Sequence, residues 1–204
     1  MEFKGISFWI AGICVLMFIL QTMIPGFTEI FLLNQSSLTE PWRFISSIFL
    51  HGSLPHLLYN GFALMLFGSM LEALIGNKRF FLIFFISGIA ANLISLPFYD
   101  AALGASGAIF GILGALIILR PHMMVFVYGL PMPIFIAGIV WVAGDVIGIF
   151  NPSNVANIAH LAGIFFGALF GYAYRKSIPQ EEKRRNTIHL NENSMRSWEN
   201  NYMR

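Results

Sequence analysis

Ser106 stands between Ala105 and Gly107 in the run Leu103-Gly104-Ala105-Ser106-Gly107-Ala108-Ile109-Phe110-Gly111, at the head of an apolar stretch. Further along, His160 heads another, in Ala159-His160-Leu161-Ala162-Gly163. A serine hydroxyl is a weak nucleophile until a base takes its proton, and imidazole is the most common base for that task. Polar groups are costly in hydrocarbon and mark function there by default. The two residues therefore read as a nucleophile and its base, built into a membrane.

The elements that must position them are membrane helices. The 204 residues are 57% hydrophobic and only 11% charged, with mean hydropathy +0.72, far from the quarter of charged residues usual in soluble domains. Hydropathy predicts one domain with six spanning segments, at about 6–24, 56–75, 79–97, 106–119, 134–149 and 158–174. The first has no small-residue cleavage site ahead of a soluble domain, so it is expected to be retained. The single Cys14 excludes an internal disulfide and is expected to pack within that segment. After Ser177 the chain turns polar and aperiodic. We expect residues 1–176 to form the membrane domain and 177–204 a short, partly disordered cytoplasmic tail.

Basic residues set the expected orientation. Lys4, Lys78, Arg79, Arg120, Arg175, Lys176 and the later Lys and Arg residues all flank one side, and only Arg43 lies on the other. Both termini are then cytoplasmic. The run Lys183-Arg184-Arg185 serves as a topology anchor or a contact for anionic lipid, and no nucleic-acid partner is expected. In this orientation His56 and Asn60 on the second segment, Ser106 on the fourth and His160 on the sixth all lie at outward-facing helix starts. Topology alone gathers them at one depth.

The fourth segment, about 14 residues or roughly 21 Å, is short for a hydrocarbon core of about 30 Å. A helix beginning inside the membrane needs its preceding loop shielded by protein or lining a wet cavity. Gly104 and Gly107 suit a tight entry and close approach. Gly107 and Gly111, and Gly163, Gly167 and Gly171, recur every fourth residue, a spacing that lets two membrane helices meet closely.

In these residues the chain resembles the rhomboid intramembrane serine proteases in their minimal six-helix form. Gly104-Ala105-Ser106-Gly107 matches the nucleophile motif, Ala159-His160-Leu161-Ala162-Gly163 the base, and His51-Gly-Ser-Leu-Pro-His56-Leu-Leu-Tyr-Asn60 the helix 2 pattern. Trp42-Arg43 matches the first outer loop, and Glu72 an acidic position near the end of helix 2. The resemblance covers roughly residues 6–174 and implies an all-α polytopic membrane bundle of six transmembrane helices with a short central helix 4. It implies an endopeptidase in which Ser106 attacks a peptide carbonyl while His160 shuttles the proton, without an acidic third member. His56 and Asn60, at i and i+4, with the Ser106 backbone N–H, would stabilise the oxyanion. Gly104, Gly107, His51 and Gly163 would support the site.

Implied partners are transmembrane protein substrates, single-pass in form, and the lipid bilayer; no cofactor or metal is expected. The expected location is the membrane of a prokaryotic cell, with the site opening outward. A zinc site on His51 and His56 is disfavoured by their i, i+5 spacing and by the lack of an H-E-x-x-H motif. A transporter or channel predicts an internal repeat and a polar pathway, neither of which is evident. A rhomboid-like binding module without catalysis shares the fold but typically loses the serine or the histidine.

The remaining polar and broken stretches carry separate expectations. Asp145, in the fifth segment, is an intramembrane carboxylate and so a functional suspect, with neighbouring backbone as its expected partner. Glu72 is expected to anchor the Gly76–Arg79 turn. Met123–Tyr128, followed by Pro131 and Pro133, reads as an interfacial stretch. The aromatic-rich loop from Gly26 to Leu50 is expected to lie partly in the outer leaflet.

Overall fold

The computed structural model describes residues 5–127, 129–151, 155–177 and 192–202, and of 192–195 and 198 the backbone alone. The chain is mostly helical. In order it forms α1 (Ile6–Met23), α2 (Phe27–Phe31), β1 (Leu33–Asn34), α3 (Arg43–Ser46), α4 (Leu54–Ala63), α5 (Ser69–Ile75) and α6 (Asn77–Ser95). Then follow β2 (Ala101–Ala102), α7 (Ser106–Leu119), β3 (Met124–Val127), β4 (Leu130–Pro133), α8 (Ile134–Ile149), α9 (Asn157–Tyr174) and a terminal α10 (Glu192–Tyr202).

Among the described residues four helices are long and apolar enough to cross a membrane: Ile6–Met23, Leu54–Ile75, Asn77–Phe98 and Asn157–Ser177. The second is α4 and α5 joined by a π-helical segment at Leu64–Gly68. Two shorter apolar helices, α7 and α8, complete the set. Outward faces carry Trp9, Leu16, Leu58, Phe62, Leu93, Ile139 and Phe165, all exposed, as suits a surface solvated by lipid tails.

Local sequence accounts for the helix starts. Ser53 accepts the His56 N–H at 3.3 Å and Pro55 sits in the first turn of α4, both standard starting devices. Gly76, at φ +81°, makes the abrupt turn from α5 into α6. Helix α7 is apolar on every side, so it is stable only in the middle of the bundle. Of its fourteen residues, all but Ser106, Phe110, Ile117 and Ile118 are buried.

Helices α6, α7 and α9 meet through small residues. A Cβ on Gly163 would overlap the Gly107 carbonyl oxygen, and one on Gly167 would overlap that of Gly111. On the other side Ala91 packs against Gly107 and Ser87 against Gly111. Gly107 thus lies between Ala159 and Gly163, and Gly111 between Gly163 and Gly167. The helices run parallel, and that register brings Ser106 level with His160.

The stretch between α1 and α4 clamps the chain ahead of α7. Strands β1 and β2 pair antiparallel, Leu33 with Ala102 and Asn34 with Ala101. The Ser47 carbonyl accepts the Gly104 N–H at 2.9 Å. Asn92 on α6 donates to the Phe44 carbonyl at 2.9 Å and to Ser47 Oγ at 3.0 Å. Arg43 is buried, pairs with Glu40, and donates to the Glu29 and Leu32 carbonyls at 2.6 and 3.0 Å. Its positive charge is thus used to hold a loop.

One expectation needs correcting, and two stretches gain structure that the sequence did not show. Glu72 does not brace the Gly76–Arg79 turn with its side chain. Its carboxylate accepts the Ile6 N–H at 2.6 Å, the Ser7 N–H at 3.2 Å and the Ser7 hydroxyl at 3.0 Å. A buried anion there satisfies N–H groups that the start of α1 leaves unpaired. Within the stretch read as interfacial, Met124–Val127 forms β3 and pairs antiparallel with β4, with Gly129 at φ +82° ahead of β4. Alternation sends Val125 and Val127 inward and Met124 and Phe126 outward. The polar C-terminal stretch is helical over Glu192–Tyr202, whereas Lys183-Arg184-Arg185 falls outside the described residues.

Candidate active site

Gly104 adopts φ +125°, a backbone conformation that side chains rarely tolerate. A Cβ there would also lie 2.8 Å from the His56 ring and 3.7 Å from Asn60 Nδ2. The glycine therefore serves twice, turning the chain into α7 and admitting both side chains of α4. Asn60 is buried, and its Nδ2 has no hydrogen-bond partner among the described residues.

Ser106 is the first residue of α7, and no side chain caps that helix start. Its backbone N–H is one of the donors that a helix leaves free at its beginning, where the dipole is positive. Ser106 is half-buried, and no hydrogen bond reaches its hydroxyl among the described residues. One turn on, Phe110 stacks its ring on the His160 imidazole, with centroids 4.1 Å apart and planes 7° from parallel. His160 is held beside the start of α7, on the face that carries Ser106 and Phe110.

The other edge of the imidazole meets Asp145. His160 Nδ1 lies 3.0 Å from Asp145 Oδ1, and both side chains are buried. This corrects the expectation that Asp145 bonds to nearby backbone, and it supplies an acidic neighbour that the dyad reading lacked. Nothing in the linear sequence joins the two residues. The signal was the cost of a carboxylate in an otherwise apolar helix.

His51 is packed away from solvent at 1% exposure. Gln21 on α1 accepts its backbone N–H at 3.0 Å, and its Nδ1 lies 3.2 Å from the Phe49 carbonyl. Its ring meets that of His56 edge-on at 5.0 Å. Burial pushes the His51 imidazole down to about 4, the neighbouring His56 adds to this, and the Phe49 carbonyl opposes it. His51 is therefore neutral at pH 7 and lies behind His56. Cys14 is buried in α1. Among the described residues no three His, Cys, Asp or Glu side chains converge as a metal site requires.

Beside the site a cavity of about 220 Å³ opens between the end of α8 and the start of α9, lined in part by Tyr99, Gly148, Asn157 and Ile158. The Tyr99 hydroxyl accepts the Ile158 N–H at 3.2 Å, fixing the first turn of α9 just ahead of His160.

Residues 38–177 match the family model described as the Rhomboid domain. The chain is 33% identical over 167 residues to rhomboid protein 1, mitochondrial, of Saccharomyces cerevisiae, covering 76% of this chain and 48% of that protein. It is 35% identical over 139 residues to the putative rhomboid protease YdcA of Bacillus subtilis, covering 65% and 67%. With the rhomboid protease GlpG of Haemophilus influenzae it shares 27% identity over 177 residues, covering 82% and 89%. It thus spans about half the length of the yeast relative. Bacterial and mitochondrial proteins appear alike, so the relationship does not assign a prokaryotic membrane. The chain is an integral membrane protein that belongs to the rhomboid family.

Proposed function

We propose that this chain is an intramembrane serine endopeptidase that cuts transmembrane proteins within or beside their spanning segments. The observation that carries the proposal is the parallel, glycine-lined packing of α7 on α9. It sets Ser106 level with His160 and stacks the imidazole on Phe110, one turn below the serine. The serine–histidine hydrogen bond of such a site tightens when substrate binds.

In this reading Ser106 Oγ attacks the scissile carbonyl carbon while His160 Nε2 takes the hydroxyl proton. The proton then passes to the leaving amine, and water repeats the sequence on the acyl-enzyme. His56, Asn60 and the Ser106 N–H donate to the developing oxyanion. The buried Asn60 Nδ2, without a hydrogen-bond partner among the described residues and beside Gly104, supports this role.

Residues 1–176 constitute the protease domain with six spans, the short α7 at their centre, and 177–204 a cytoplasmic tail. The termini lie on the cytoplasmic side and the site opens outward. An intact helix hides its carbonyls in its own hydrogen bonds, so preferred substrates are single-pass proteins with Gly or Pro weakening the helix near the cut.

The proposal is tested in proteoliposomes carrying the full chain and a single-pass test protein with Gly and Pro in the outer part of its span. We expect cleavage that survives EDTA, disappears in Ser106→Ala and His160→Ala, and slows when the Gly and Pro become Leu. Cleavage by Ser106→Ala, or its loss on chelation, would reject the assignment.

A further inference from the structure

We infer that Asp145 is a positioning residue for His160, so that the site works as a buried Ser106–His160–Asp145 relay of contacts and not as a bare pair. This rests on the Ser106/His160 reading above and adds the group that selects the working form of the base. Asp145 lies on α8 and His160 on α9, with Oδ1 3.0 Å from Nδ1. A carboxylate can only accept a hydrogen bond, so Nδ1 must carry the proton it shares with Oδ1. The neutral imidazole is thereby left with its lone pair on Nε2, the nitrogen free to take a proton from Ser106.

The stack against Phe110 fixes the plane of the ring, and the carboxylate fixes its rotation within that plane. Those are the two freedoms an imidazole has once its backbone is set. In the reaction the Ser106 Oγ–H proton moves to Nε2 as the Oγ–C bond forms. The imidazolium lies against an anion until Nε2 returns the proton to the departing amine nitrogen. Asp145 keeps its charge throughout and exchanges no proton. Within the outer half of α8 Asp145 is the buried residue among the described ones, so this contact is what ties that part of α8 to the base.

A structural role would look different. A carboxylate holding α8 in place needs no particular ring nitrogen, whereas Asp145 Oδ2 has no partner among the described residues and Oδ1 is aimed at Nδ1. The other ionisable groups near His160 are His56 on α4, whose ring lies against Gly104, and Tyr99, bound to the Ile158 N–H. A histidine offers no carboxylate and the Tyr99 hydroxyl is engaged at the start of α9, so the ordering of the imidazole falls to Asp145.

The test uses the full chain in detergent with a fluorophosphonate probe, reading the second-order rate of Ser106 modification beside the melting temperature. Asp145→Asn keeps the shape but can donate to Nδ1, which favours the wrong tautomer. We expect labelling to slow by about 100- to 10,000-fold with melting unchanged. Asp145→Glu, which keeps the anion, should recover a substantial part of the rate. On the peptide-cleavage reaction, Asp145→Asn should lower kcat and leave KM nearly unaltered. Labelling of Asp145→Asn at the unaltered rate overturns the inference. So does a fall in melting temperature in both variants with normal labelling of the folded fraction. Absence of Ser106-dependent labelling in the unaltered chain overturns the protease reading itself, and is distinguishable because it precedes any change at Asp145.

Discussion

Gly163 on α9 rests directly against the carbonyl oxygen of Gly107 on α7, leaving no room for a side chain between the two backbones. Hydrocarbon gives helices no hydrophobic reason to associate, so contact at this range rests on dispersion and close backbone fit. The same contact fixes the separation of the helix starts that carry Ser106 and His160.

Substitution there should act on both levels. Gly163→Val forces the helices apart and should cost more than the ~1–3 kcal/mol typical of overpacking, since it meets backbone and not a flexible side chain. Melting temperature and cleavage should fall together. Gly12, with open space around its position, is the control, and Gly12→Val should change neither.

Asn60 should separate from such structural residues in its kinetics. If its Nδ2 binds the oxyanion, Asn60→Ala should lower kcat by roughly 10- to 1000-fold, because losing one such donor costs up to about 4 kcal/mol. KM should change little, since the contact strengthens only in the transition state. A large loss of melting temperature with unchanged kcat in the folded fraction would instead make it a brace for the Gly104 turn.

Glu72 should behave in the opposite way. Glu72→Ala strands the Ile6 and Ser7 N–H groups at the start of α1, a loss of about 1–3 kcal/mol for each buried donor left unpaired. Thermal unfolding of the purified protein should shift clearly downward. The folded fraction should retain its kcat, because Glu72 bonds to the start of α1, twelve residues along the chain from Asn60.

The low value for His51 gives stability a defined pH dependence. Its imidazole is held from an ordinary 6.5 down to about 4. The unfolded chain therefore takes up a proton at a pH where the folded one does not. This residue's contribution is fully present above about 6.5, is lost as pH falls from there to about 4, and is level below. Unfolding followed across that window should be less steeply pH-dependent in His51→Phe than in the unaltered chain. An equal slope would show that His51 is protonated in the folded protein.

What was legible in the sequence, and what was not, follows from how each feature is encoded. Apolar runs and glycine spacing are local, so the helices from 106–119 and 134–149 and the α7–α9 contact could be read from the chain. Gly104, His56 and Asn60 came from local patterns too, and the structure brings them together. Asp145 and Glu72 were seen as costly charges, but their partners lie on other helices and no spacing rule reaches across a bundle. The β3–β4 hairpin was hidden because two prolines argued against a strand. Here each lies on β4, at the edge of a two-stranded ribbon where a missing donor is tolerated. The helix at Glu192–Tyr202 follows a polar stretch whose composition argued for disorder.

The most direct measurement of the central claim is mass-spectrometric mapping of the fluorophosphonate adduct on the full chain in detergent. The account predicts one adduct, on Ser106, formed at a rate that collapses in His160→Ala while both proteins still show cooperative thermal unfolding. An adduct on another serine, or equal labelling of Ser106 in His160→Ala, would contradict it.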